Sequence, residues 1–167
     1  TIVGSLGLLF HMLAFGAEKL GLCRAGLIAA GLFLGTNPTV GVWTTGGLSS
    51  SLFALSIFLC FRALFDDPSK PRGWSAGFWG TATCLFRADG PFWIVVLLFV
   101  ALVAQLLARR SDENPERNAA VFFPAFLRAC LVLIVAGAIF IAWRMNTYGD
   151  YLPNTARAKV GMSALSL

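Results

Sequence analysis

The sequence predicts an all-α fold: a polytopic transmembrane helix bundle in which some helices are short or broken. Three observations carry that expectation. Of 167 residues, 57% are hydrophobic and 13% charged, whereas a soluble domain is nearer half apolar and a quarter charged. Mean hydropathy is +0.76. The apolar residues also come in blocks, separated by short runs of glycine, proline and charge that punctuate helices.

Taken in order, Thr1–Ala17 is apolar and ends at Glu18-Lys19. It reads as the second part of a membrane helix, with no basic n-region or small-residue cleavage site of a signal peptide. Residues 1–167 are accordingly expected to be part of one transmembrane domain, an internal piece of a longer protein. Gly21–Arg24 is a turn. Ala25–Gly35 is apolar but short for a core of about 30 Å, which takes roughly 20 helical residues, and it stops at the breakers Thr36-Asn37-Pro38-Thr39. Trp43 marks an interface. A helix is expected from near Gly47-Leu48 to Phe65, with a hydroxyl-rich first turn whose free N–H groups suit either a phosphate or ordinary capping. Asp66–Gly73 is a polar loop with two prolines. Trp74–Phe86 is a second short segment, closed by Arg87-Ala88-Asp89-Gly90-Pro91. Phe92–Ala108 is a helix ending at Arg109-Arg110, and Ser111–Asn118 is charged and solvated. Val121–Trp143 is the longest apolar run; Pro124 is expected in its first turn, where proline is tolerated. Arg144 then leads into a polar loop.

If every segment crosses, the loops alternate between two sides. Lys19, Arg24, Arg62, Lys70, Arg72, Arg109, Arg110 and Arg117 share one side, which the positive-inside rule makes cytoplasmic. Arg87, Arg144, Arg157 and Lys159 share the other, external side. The net charge of +5 follows from this loop asymmetry, and no dense basic cluster points to nucleic acid. Cys23, Cys60, Cys84 and Cys130 have no C-x-x-C spacing and read as free membrane thiols. The lone His11 reads as a packed imidazole, so no metal site is expected.

The external loops concentrate the polar chemistry. Tyr148–Gly161 places two tyrosines, Asp150, Asn154, Thr155, Arg157 and Lys159 around the stiff Pro153, with Gly149 and Gly161 at flexible or positive-φ positions. Ser49 and Ser50 open a helix on the same side, and Arg87 and Asp89 lie there as well, either as a local ion pair or as part of a shared cavity. An interfacial loop with Tyr148 and Tyr151 at headgroup level is the alternative reading of this stretch.

Tyr148-Gly149-Asp150 with Leu152-Pro153-Asn154-Thr155 and Ala158-Lys159 resembles the YGD-x-LPNT-x-x-AK signature of multi-pass GT-C glycosyltransferases similar to the mycobacterial terminal β-(1→2) arabinofuranosyltransferase group. Arg87-Ala88-Asp89-Gly90 is similar to that group's RPDG element, with Ala88 in place of proline. Trp43–Phe53 is similar to its TSGLET-x-LF element, with Ser49 at the acidic position. Thr147 and Arg157 stand where aromatics are frequent, so sugar specificity does not carry over.

The resemblance implies transfer of a sugar from a polyprenyl-phosphate donor to a glycan, lipid or protein acceptor, on the external face of the plasma (inner) membrane, in cell-envelope biogenesis. No cofactor is required by it, and a divalent cation is left open. It implies a catalytic base upstream of Thr1, with Asp89 and Asp150 as the acids present here that can orient an acceptor or position a cation. Lys159, Arg157 and Arg87 are the candidate phosphate contacts, with Ser49 and Ser50 at the helix start. Asn154 and Thr155 are placed to bond sugar hydroxyls, and Tyr148 to stack on a sugar. Two other classes compete: a membrane transporter or flippase of lipid-linked or polar substrates, which also uses interrupted helices, and a non-catalytic GT-C-like membrane subunit.

Overall fold

The computed structural model describes residues 2–38, 50–67, 70–108 and 115–149. Those residues form six helices and no strand: α1 (Ile2–Glu18), α2 (Arg24–Thr36), α3 (Ser50–Phe65), α4 (Gly73–Phe86), α5 (Gly90–Ala108) and α6 (Pro115–Tyr148). By length and composition two of them can cross a membrane, over Gly90–Leu107 and Ala120–Tyr148. The other helices are shorter, as their apolar blocks predict.

α4 sits at the centre, between α3, α5 and α6. The reason is its sequence. Gly73, Ala76, Gly77, Gly80 and Thr83 recur every three or four residues and are all buried, so one face of α4 is nearly flat. Small residues let neighbouring backbones approach closely, which is how helices associate where water cannot drive them together. A Cβ on Gly77 would lie 2.6 Å from the Val132 Cβ, and one on Gly80 would lie 3.1 Å from a Leu133 methyl. Around this stripe the buried core gathers Cys60, Ala63 and Leu64 of α3, Ile94 and Ala101 of α5, and Phe122 and Ala129 of α6.

The contacts fix the helix directions. Ser5 Oγ donates to Ser51 Oγ at 2.7 Å, and Arg62 Nη2 donates to Glu18 Oε2 at 3.1 Å, so α1 and α3 run the same way. Cys60 Sγ lies 3.3 Å from the Ala76 carbonyl and Thr83 Oγ1 2.9 Å from Ser56 Oγ, so α4 returns against α3. Gly73 packs at Ala125 and Gly80 at Leu133, making α6 parallel to α4. A Cβ on Gly90 would stand 2.4 Å from the Thr83 carbonyl oxygen, so glycine lets α5 fold back tightly. Gly16 meets Leu27 and Gly31 meets Leu13, so α2 runs against α1, and successive helices alternate in direction.

One end holds an ionic network. Arg62 Nη2 reaches Asp66 Oδ2 at 2.9 Å and Glu18 Oε2 at 3.1 Å; Lys19 and Arg72 each approach Asp66 at 3.7 Å. The side chains of Arg62 and Asp66 are 13% and 19% exposed, so this pair is far less screened than a surface bridge. The Arg72 amide also donates to the Ala63 carbonyl at 2.8 Å, tying the start of α4 to the end of α3.

Two sequence expectations are corrected. Pro124 is not in a first turn: α6 begins at Pro115 and carries Pro124 inside. Pro115 is the residue at the tolerant first position, and the solvated stretch 111–118 therefore overlaps the helix start. At the other end α6 does not stop before Arg144 but runs on to Tyr148, ending at Gly149 with φ +64°, the left-handed position glycine favours at a helix C-terminus.

The buried Ser56–Thr83 pair supplies a test of α3–α4 packing. Thr83 is fully buried; its hydroxyl proton serves the Trp79 carbonyl at 2.8 Å or Ser56 Oγ at 2.9 Å. Ser56 Oγ also donates to the Phe53 carbonyl at 2.8 Å. Thr83→Val keeps the volume and removes the link, so thermal denaturation in detergent should register a loss of about 0.5–1 kcal/mol.

Candidate functional site

The end of the assembly opposite the ionic network carries the described candidate residues. Arg87 follows α4 in extended geometry (φ −147°, ψ 146°). The Gly90 amide donates to its carbonyl at 3.0 Å, closing a tight turn that sets Asp89 immediately before the first residue of α5. A carboxylate there is favoured by the unpaired N–H groups and dipole of the helix start.

Arg87 and Asp89 form a two-point pair. Nε donates to Oδ1 at 2.8 Å and Nη2 to Oδ2 at 3.2 Å. The Arg87 guanidinium also stands 5.2 Å from the centre of the Phe53 ring on α3, a cation–π contact. These contacts lock the guanidinium from two sides and leave its Nη1 donors directed away from Asp89.

The pairing decides what Asp89 can do. Hydrogen bonding from Arg87 holds its carboxyl below the ordinary carboxylate range, and Asp89 holds the Arg87 guanidinium charged. A general base works best with a pKa near the operating pH, so a depressed, doubly engaged carboxylate is poorly suited to that role. Asp89 reads instead as the group that orients Arg87.

Tyr148 is the last residue of α6 rather than a loop residue. Its ring meets Trp143 edge-on at 5.7 Å, and the Arg144 guanidinium lies 5.6 Å from the ring centre. Tyr148 is exposed. Ser50 begins the described part of α3, and the neighbouring Ser51 hydroxyl is used in packing against Ser5. Ser49, Asp150, Asn154, Thr155, Arg157 and Lys159 lie outside the described residues; of the others, Ser50, Arg87, Asp89 and Tyr148 fall at the same end of their helices, and Tyr148 contacts Trp143 and Arg144 rather than the Arg87–Asp89 pair.

Beside this end runs a cavity of about 480 Å³ between α4, α5 and α6, lined by residues that include Cys84, Leu85, Pro91, Ile94, Cys130 and Phe140. Its walls are almost entirely apolar. Leu85 and Pro91 on its wall flank the Arg87–Asp89 turn in the chain, while Arg87 itself turns to the Phe53 ring of α3. Sequence reading missed this cavity and the Phe53 shelf. The signal for the cavity was the small-residue run Ala136-Gly137-Ala138 between larger side chains; Ala136 and Gly137 line the groove, and a Cβ on Gly137 would meet nothing within 4 Å.

No family model, curated protein or solved structure matches the chain. Among the described residues no group of three or more His, Cys, Asp or Glu side chains could hold a metal ion.

Proposed function

We propose that this chain is part of a polytopic membrane glycosyltransferase that moves a sugar from a polyprenyl-phosphate donor to an acceptor on the external side. The observation that carries the reading is an apolar cavity at the same end of the assembly as the paired Arg87. A polyprenyl-phosphate sugar is an apolar chain with an anionic phosphodiester head, and an apolar groove with a guanidinium at the same end of the assembly suits both parts. The volume falls in the range of small-molecule sites, about 300–1,000 Å³. The resemblance of the Arg87–Gly90 and Tyr148–Lys159 segments to the GT-C motifs supports the same reading.

In that reaction the acceptor hydroxyl oxygen attacks the anomeric carbon, the bond to the phosphate oxygen breaks, and polyprenyl phosphate departs. Arg87, with Lys159 and Arg157, steadies the negative charge on the leaving phosphate. Tyr148, Asn154 and Thr155 hold the sugar, and Ser49 and Ser50 offer the helix start to the head group. A carboxylate takes the acceptor proton, with Asp150 the candidate acid among these residues. All six helices cross the plasma membrane in this scheme, with the ionic network on the cytoplasmic side.

Gly137→Leu tests it. A Cβ at Gly137 meets nothing within 4 Å, so leucine is accommodated, yet its branched end fills the groove. Sugar transfer in membranes from a polyprenyl-phosphate donor should fall about tenfold or more, the cost of roughly 1.4 kcal/mol of lost chain binding, with folded yield unchanged. Full transfer with the groove filled would remove the cavity from the donor path.

A further inference from the structure

We propose that Arg72 and Arg128 together form a binding site for the phosphate of an anionic phospholipid, at the end of the assembly that holds the Arg62–Asp66 network. The proposal rests on the membrane reading above but concerns the opposite end from the donor site. Arg128 lies within the apolar span of α6, is exposed, and has no hydrogen bond or ion pair among the described residues. The apolar side chains around it are open too: Phe123, Leu127 and Leu131 are each about half exposed. An unpaired charge on an apolar face that meets lipid is costly, and it persists where something supplies a counter-charge.

The neighbouring helix supplies a second cation. Gly73 packs against the Ala125 backbone, so the backbone of Arg72, one residue earlier, lies beside α6, and Arg128 is one turn on from Ala125, about 4.5 Å along the helix axis. The Arg72 side chain is 60% exposed, and its ion pair is the long 3.7 Å approach to Asp66. Asp66 is shared with Arg62 at 2.9 Å and Lys19 at 3.7 Å, so Arg72 keeps most of its donor capacity. Among the described residues around this end, Lys19, Arg24, Arg62, Lys70, Arg72 and Arg128 outnumber Glu18, Asp66 and Asp67. The missing partner is therefore an anion, and it must also cover apolar surface. A phospholipid does both: its phosphate bridges the two guanidiniums while its acyl chains lie along Phe123, Leu127 and Leu131. An acidic protein segment would satisfy the charge and leave those side chains bare.

The test uses the full chain reconstituted in phosphatidylcholine vesicles, with spin-labelled phosphatidylglycerol or spin-labelled phosphatidylcholine as the probe. The motionally restricted fraction should show a preference for phosphatidylglycerol of about five-fold per arginine engaged. Arg72→Gln/Arg128→Gln should abolish it, and Arg24→Gln, at the same end but off the site, should keep it. Circular dichroism checks that the variants stay helical. Equal restriction of the two lipids, an undiminished preference in the double variant, or equal loss in Arg24→Gln would overturn the site. A chain that enters vesicles without lipid preference sinks this inference alone; a chain that fails to enter them sinks the membrane reading and this inference with it.

Discussion

Gly73→Val should be the most damaging single substitution in the described helices. A Cβ at this position would stand 2.1 Å from the Ala125 carbonyl oxygen and 2.8 Å from the Ala125 carbonyl carbon and Cα. Those are backbone atoms of a continuous helix, so no rotamer change relieves the clash. The α4 and α6 helices must separate, and the rows at Gly77–Val132 and Gly80–Leu133 separate with them. Overpacking of a tight contact costs about 1–3 kcal/mol and at times more; a clash against backbone belongs at the upper end. Thermal denaturation in detergent, followed by circular dichroism, should show a clear fall for Gly73→Ala and a larger fall or loss of folded protein for Gly73→Val. Gly137→Ala, in the same pair of helices but with open space around it, is the control. It should be neutral or stabilising by up to about 1 kcal/mol, the helix-propensity gain of alanine over glycine. Equal effects at the two glycines would mean that α4 and α6 do not meet through their backbones.

The helices themselves were legible because apolar blocks and their breakers are local features. Gly73 to Thr83 was visible as a run rich in Gly, Ala and Thr, and its role as the central seam follows once a neighbour is given. Two kinds of information were not local. The boundary of α6 was misread because Val121 opens the apolar run, although hydrogen bonding starts at Pro115; hydropathy marks where a helix meets an apolar medium, not where it begins. The Glu18–Lys19, Arg62–Asp66 and Arg72 charges read as three ordinary turns, since nothing in the chain order says that Asp66 will serve three cations. Arg128 was hidden for a related reason: one charge hardly lowers the mean hydropathy of a long run. At the candidate site, the Arg87–Asp89 pair was available from its spacing. Its consequence, a guanidinium clamped between a carboxylate and the Phe53 ring, required the fold of α3 against α4.

Arg87→Gln should weaken capture of the donor head group far more than Asp89→Asn alters turnover. Arg87 offers a charge-assisted contact to the phosphate, so binding of a short-chain polyprenyl phosphate should loosen by roughly tenfold. Lys159→Ala should act in the same direction if the loop cations share the phosphate. Asp89→Asn leaves the Phe53 contact and the guanidinium charge in place; it frees the orientation of Arg87, and the expected loss is at most a few-fold, as for an exposed ion pair. The pH dependence gives a second reading. The Asp89 carboxyl is held below its ordinary value by Arg87, so the folded state binds its proton less readily than the unfolded chain does. The pair's contribution is therefore fully present above the ordinary carboxylate pKa of about 3.9 and is lost as pH falls through the lowered value. Across neutral pH Asp89 stays ionised, and Asp89→Asn should leave the pH profile of transfer unshifted. If Asp89→Asn instead abolished transfer and removed an acidic limb from that profile, the carboxylate would be the proton acceptor, and Arg87 would be the group that positions it.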